Sequence, residues 1–350
     1  MRKFLSVLIT GLVAASLMIL PGLAKDIELL GAGATFPYPL YSKMFDAYYR
    51  EFGVKVNYQS IGSGGGIRQL LNRTVDFGAT DAFMSDEEVR VDDNYILHIP
   101  ACLGAVVVTY NLPGVSGLKF TPDLIADIFL GRVKKWNDAR IAAINPEVTL
   151  PDTNIVVIHR SDGSGTTFVF SDYLSKVSSN WSRKVGTGKS LKWPAGLGAK
   201  GNEGVSGLIK QIPGSIGYVE LTYALQNKMP AAAVKNKSGE FIEPTVNSVA
   251  SAGSIQLPEH TRVSITNTNA DRGYPISSFT WLIFYKEQNY DGRERKRAEE
   301  LVKLLWWVIH EGQEFCKPLH YAPLPEDVVK KAENIIKQVT YNGIFLLKNR

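Results

Sequence analysis

Three short stretches of this chain combine glycine, hydroxyl side chains and the expected start of a helix. They are Ala34-Thr35-Phe36-Pro37, Ile61-Gly62-Ser63-Gly64-Gly65-Gly66 and Arg160-Ser161-Asp162-Gly163-Ser164-Gly165-Thr166-Thr167. A helix start leaves backbone N–H groups unpaired and carries a partial positive charge, which suits it to an anion. Glycine lets that backbone come close, and a Ser or Thr hydroxyl donates to an oxygen without adding fixed charge. Taken singly, such a turn reads equally well as a plain capped helix, with Ser164 and Thr166 satisfying their own backbone. Three of them, with Arg160 as a planar charged fork, are the makings of one oxyanion site.

Asp81 narrows the ligand. It follows the alternating Val75, Phe77 and Ala79, so a carboxylate stands just past the end of a strand. A carboxylate beside an anion repels it, unless the anion carries a proton that the carboxylate can accept. That combination points to a protonated oxyanion such as hydrogen phosphate.

The elements that must position these residues alternate strand and helix. Ile27 to Leu30 is a strand candidate, and Leu40, Tyr41, Met44, Phe45, Tyr48, Tyr49 and Phe52 mark one side of a helix that Gly53 stops. Val54, Val56 and Tyr58 alternate as a strand, and Ile67, Leu70 and Leu71 begin another helix. Cys102 to Tyr110 reads as a buried strand, and Gly217 to Thr222 and Pro275 to Lys286 carry further strands. Helices are expected at about Glu294 to Glu311 and Glu326 to Val339, whereas Val185 to Gly204 and Lys235 to Pro258 read as loops. This alternation places the fold in the α/β class, in which ligands bind beyond the C-terminal ends of the strands.

The N-terminus carries Arg2 and Lys3, an apolar run from Phe4 to Leu20, then Pro21-Gly22-Leu23-Ala24. Residues 1–24 are therefore expected to be a secretory signal peptide, cleaved after Ala24, and no second long apolar span follows. No Cys stands at the cleavage point to take a lipid. The chain is expected to be exported and soluble, in the periplasm where the cell has an outer membrane. Removing 24 of the 350 residues leaves 326, enough for two domains, and the formal charge of +5 falls to +3 with the loss of Arg2 and Lys3. Acids and bases are intermixed, which argues against nucleic-acid or membrane-surface binding. Cys102 and Cys316 are too few for a disulfide framework and lack metal-ligand spacing, and the sequence leaves a single bridge between them open.

Two nucleotide-site lookalikes are set aside. Gly188-Lys189-Ser190 ends like a phosphate-binding loop, but its required first Gly falls on Arg183. Gly196-Leu197-Gly198-Ala199-Lys200-Gly201 matches G-x-G-x-x-G, but Leu191-Lys192-Trp193-Pro194 ahead of it makes a poor strand. The five histidines show no i,i+4 pairing, and His159 beside Arg160 reads as a strand residue.

Over nearly all of its mature length the chain resembles the periplasmic phosphate-binding proteins of high-affinity phosphate ABC transporters. The matching pieces are Gly31-Ala32-Gly33-Ala34-Thr35-Phe36-Pro37, Val56-Asn57-Tyr58-Gln59 with Gly62-Ser63, Val75-Asp76-Phe77-Gly78-Ala79 with Asp81, and Asp162-Gly163-Ser164-Gly165-Thr166. Leu130-Gly131 with Lys135-Trp136, Val185-Gly186-Thr187-Gly188, Ile216-Gly217-Tyr218-Val219-Glu220 and Tyr321-Ala322-Pro323-Leu324-Pro325 extend the match. The resemblance implies a bilobal periplasmic-binding-protein fold of type II, two α/β lobes joined by two hinge crossovers. Residues 25–108 and 277–350 are expected in one lobe and 109–276 in the other, with crossovers near Thr109 to Leu112 and Tyr274 to Ser277. The implied phosphate contacts are Thr35, Phe36, Ser63, Asp81, Arg160, Ser164, Gly165 and Thr166. Asp81 would accept the phosphate proton, and Asp162 would pair with Arg160 and hold it in place.

There are departures from the family pattern. Gly64 replaces the second Ser of Gly-Ser-Ser-Gly-Gly, His159 replaces a residue that is often basic, and residues 344–350 match poorly. The expected function is capture of inorganic phosphate by a monomer and delivery to a membrane permease, with no catalysis, metal or cofactor. One alternative is a binding protein for another protonated tetrahedral oxyanion such as arsenate, which Asp81 could not reject. The other is an exported phosphatase, which would need a metal cluster or an activated nucleophile.

Overall fold

A computed structural model describes residues 27–347, so the expected signal peptide, residues 1–24, lies outside the described residues. Three parallel strands, β1 (Glu28–Gly33), β2 (Lys55–Ser60) and β3 (Phe77–Thr80), open the main sheet. Helix α1 (Tyr38–Phe52) follows β1, and α2 (Ser63–Leu71) follows β2. The long strand β4 (Asn94–Asn111) comes next, then β5 (Val156–Arg160), α3 (Gly165–Val177), β6 (Leu197–Ala199), α4 (Gly201–Gln211), β7 (Ser215–Glu220) and β8 (Ser277–Tyr285). The strand order is β2-β1-β3-β8-β4-β7-β5-β6, in which β5 runs parallel to both β6 and β7.

Strand β4 joins two α/β lobes. It is antiparallel to β8 through Ile96–Ala105 and antiparallel to β7 through Val106–Asn111. The change of partner falls between Ala105 and Val106. Ile96 to Tyr110 is buried without a break. That explains why polar residues do not alternate with apolar ones along it, since a strand covered on both faces has no polar side.

The helices cover the sheet with single apolar stripes. Leu40, Tyr41, Met44, Phe45 and Tyr48 of α1 are buried, whereas Tyr49 and Phe52, expected on the same side, are 53% and 51% exposed. Tyr49 is rotated about 100° from Tyr48 and leaves the stripe. Phe52 lies in the last turn and packs its ring on Tyr48 with centroids 4.7 Å apart. Gly53 ends the helix in the left-handed conformation, φ 70°.

Two expected loops contain regular structure. Val185 to Gly204 includes β6 and the start of α4, and Lys235 to Pro258 includes the helix Val246–Ala252, closed by a capping box between Thr245 and Ser248. Strand β6 has only three residues, largely exposed, so it shows no apolar periodicity to read. Cys102 and Cys316 are both buried and free. Among the described residues no helix is long and apolar enough to cross a membrane.

Candidate functional site

The residues that follow β1, β2 and β3 in one lobe meet those that follow β5 and β6 in the other. Strand ends of one polarity thus converge, as the sheet topology dictates. Beyond β1, Thr35 Oγ1 accepts two hydrogen bonds from Asn202 of the opposite lobe, from the backbone N at 3.2 Å and from Nδ2 at 2.7 Å. The carbonyl of Phe36 accepts from the Tyr321 hydroxyl at 2.8 Å. Ser63 opens α2, and its Oγ accepts the Asp81 backbone N–H at 3.2 Å.

Asp81, just past β3, is 1% exposed. Its Oδ1 accepts from the Thr280 hydroxyl at 2.7 Å, and its buried Oδ2 has no partner among the described residues. Burial pushes its pKa up to about 7, against the lowering effects of the Thr280 hydrogen bond, the Arg160 charge and the Ser63 hydroxyl.

Across the junction, Arg160 is the last residue of β5 and its side chain is 1% exposed. Its Nε and Nη2 donate to Asp162 Oδ1 and Oδ2 at 2.7 and 2.6 Å, a fork-on-fork pair that leaves Nη1 to reach Thr166 Oγ1 at 3.3 Å. The Gly201 N–H donates to the same aspartate at 3.1 Å. Burial raises the Asp162 pKa, but Arg160 and that N–H outweigh it and hold the carboxyl below its ordinary range. Ser164 caps α3, its Oγ accepting the Thr167 N–H at 3.0 Å. The plain-cap reading of this turn is therefore right about the lone pair and leaves the proton of Ser164 uncommitted.

Contact between the lobes is close, and at Gly165 it requires glycine. A Cβ on Gly165 would overlap Ser63 Oγ and the Asp81 carboxylate. At Gly64, the backbone N–H donates to the Gly163 carbonyl at 2.8 Å, and a Cβ would stand 3.2 Å from Gly163 Cα. Backbone thus meets backbone directly across the lobes.

The expected residues come together at one junction, and their donor inventory is lopsided. The hydroxyls of Thr35, Ser63, Ser164 and Thr166 each accept from an N–H of the protein; among the described residues those of Thr35, Ser164 and Thr166 donate to no protein atom, and that of Ser63 faces the Asp81 carboxyl. Arg160 and the starts of α2 and α3 add further donors. Against them stands Asp81 Oδ2, a buried acceptor with nothing to accept. This arrangement gives many hydrogen bonds and takes one.

A family model described as a PBP superfamily domain matches residues 21–310. The chain is 45% identical over 314 residues to the phosphate-binding protein PstS of Xylella fastidiosa, covering 88% of this chain and 85% of that one. It is 43% identical over 312 residues to PstS of Haemophilus influenzae, covering 87% and 91%. The chain belongs to the PstS family. These relatives are named as binding proteins, and membership makes the chain a solute-binding protein of that superfamily and not an enzyme. The solved phosphate-binding protein of Stenotrophomonas maltophilia shares the fold, with a TM-score of 0.68 at 17% identity over 88% of this chain and 94% of that one.

Two residues in this PstS-family site escaped sequence reasoning. Asn202 bridges Thr35 and Thr166 from the start of α4, and Thr280 on β8 holds Asp81 Oδ1. Ala199-Lys200-Gly201-Asn202 is a fourth strand, turn and helix start, and that repetition was the available signal. It was hidden by the dinucleotide lookalike it overlaps. Thr280 stands in an apolar strand, where nothing local marks it. His159 proves to be a packed strand residue: its ring stacks on Trp193 with centroids 4.6 Å apart, and burial lowers its pKa.

Proposed function

We propose that the protein captures inorganic phosphate between its two lobes, through Thr35, Phe36, Ser63, Asp81, Arg160, Ser164, Gly165 and Thr166, and delivers it to the membrane permease of a phosphate ABC transporter. One observation carries the reading: a buried carboxylate oxygen without a partner, Asp81 Oδ2, set among hydroxyls whose oxygens already accept from protein N–H groups, which leaves their protons to offer. Monohydrogen phosphate fits that inventory, since its unprotonated oxygens take the donors and its one proton satisfies Asp81. A fully ionised sulfate would face Asp81 with nothing to donate, and an unmet charged hydrogen bond costs about 1.5 to 3 kcal/mol.

The same reading assigns residues 25–108 and 277–350 to one lobe and 109–276 to the other, with the first crossover inside β4. The bonds from Asn202 to Thr35 and from Gly64 to Gly163 are of the kind that form on closure, and the closed form is what a permease would recognise. Residues 1–24 would direct a monomer to the periplasm and be removed. Calorimetric titration of the anion-free mature chain with phosphate, alone and in excess sulfate, tests the proposal. Tight one-to-one binding unaffected by sulfate is expected, and a folded, anion-free sample that binds no phosphate ends it.

A further inference from the structure

We propose that Asn202 is a positioning residue which fixes the Thr35 and Thr166 hydroxyls as donors to the anion. This rests on the phosphate-binding reading of the site and deepens it. Asn202 is fully buried at the start of α4. Its Oδ1 accepts the backbone N–H of Glu220 at 2.9 Å. A backbone N–H can only donate, so the amide oxygen is held on that side and the NH2 group is turned to the threonines. Both of its protons are then committed, to Thr35 Oγ1 at 2.7 Å and to Thr166 Oγ1 at 3.1 Å.

A hydroxyl has one proton to give and two lone pairs to fill. Thr35 Oγ1 fills both with the backbone N and the Nδ2 of Asn202. Thr166 Oγ1 fills both with Asn202 Nδ2 and Arg160 Nη1. Neither oxygen has room for a third donor, so each threonine has only its proton left to offer. The two threonines belong to opposite lobes, so a single amide sets the polarity of both walls. Without it, either hydroxyl is free to turn a lone pair toward the anion.

A residue that merely tied the lobes together would act independently of the Thr166 hydroxyl, whereas a positioning residue acts partly through it. The test is a double-mutant cycle on the full chain, with phosphate affinity measured by calorimetry for the parent, Asn202→Ala, Thr166→Val and the double variant. Each single change should weaken phosphate binding by about tenfold or more. The double variant should bind at least about threefold more tightly than the product of the two losses predicts. Losses that multiply overturn the role of Asn202 and leave the functional reading intact. A parent that binds no phosphate overturns both.

Asn202→Asp guards against misfolding of the alanine variant. It keeps the shape and the bond to Glu220 but turns the donors into acceptors. It should lose about 100-fold or more at pH 8, measured below an unfolding midpoint that the buried carboxylate lowers but that shows the sample to be folded. Affinity within about threefold of the parent would overturn the proposal.

Discussion

Asp81 and Asp162 occupy matching places in the two lobes, each just beyond the C-terminal end of a parallel strand, and their surroundings treat them in opposite ways. Asp162 receives two N–H groups of Arg160 and one of Gly201, and its charge is secure. Asp81 receives one hydroxyl, keeps one oxygen unpartnered, and is pushed up to about 7 by burial. Burial and a paired cation together separate them: Asp81 is fully buried with no cation bonded to it, whereas Asp162 is slightly more open and ion-paired to Arg160. Asp162 spends the Nε edge of Arg160 and aims what remains of the guanidinium at Thr166. Asp81 has a conditional charge, and a group poised in that way responds to whether its neighbour carries a proton.

Removing the cation that both carboxylates feel should have the largest effect. Arg160→Met leaves Asp162 buried without its partner and takes a guanidinium from the anion site. Phosphate affinity should fall at least about 1,000-fold, or about 4 kcal/mol. A loss under tenfold in calorimetry would show that helix starts and hydroxyls hold the anion by themselves.

The raised pKa of Asp81 sets a sign for stability. Below about pH 4 the carboxyl is protonated in both folded and unfolded chains. Between there and about 7 the anion-free folded protein keeps a proton that the unfolded chain has released, so stability falls as pH rises and levels off above about 7. The full drop is on the order of 4 kcal/mol. Denaturant unfolding of parent and Asp81→Asn in buffers free of phosphate should show the parent losing on the order of 2 to 3 kcal/mol against the variant between pH 5 and pH 8. A constant gap would mean that Asp81 titrates like an ordinary carboxyl.

The same variant sharpens the comparison on the binding side. An amide at position 81 can donate where the carboxylate could only accept, so the preference for phosphate over sulfate should drop by about 100-fold. Competition calorimetry reads this directly, and a variant that still excludes sulfate as the parent does would remove the proton-reading role.

How much of this was legible follows the range of the interactions. The turns at Thr35, Ser63 and Ser164 announce themselves because cap, glycine and hydroxyl lie within a few residues of one another. Asp81 could be placed because Val75, Phe77 and Ala79 alternate ahead of it. The eight proposed contacts, as a set, came with the family resemblance. The partners that set donor direction and charge were not legible, because Asn202 lies 167 residues from Thr35 and Thr280 lies 199 from Asp81. Only the order of strands brings them together. The lobe limit is blurred for a related reason: β4 serves both lobes in one unbroken buried stretch, and nothing in its side chains marks where its partner changes.

Asp162→Asn should give the smallest effect and the cleanest contrast. The amide oxygen can still accept from one N–H of Arg160, but the two-point grip is lost and the guanidinium gains freedom to turn. Removing a negative charge from beside an anion site also favours binding, so the two consequences oppose each other. Phosphate affinity should therefore fall by only about tenfold, with the preference over sulfate unchanged, because Asp81 still faces the ligand. Calorimetry with both anions separates the two aspartates. If Asp162→Asn relaxes sulfate exclusion as Asp81→Asn does, both carboxylates act through overall charge alone and the division of labour between them fails.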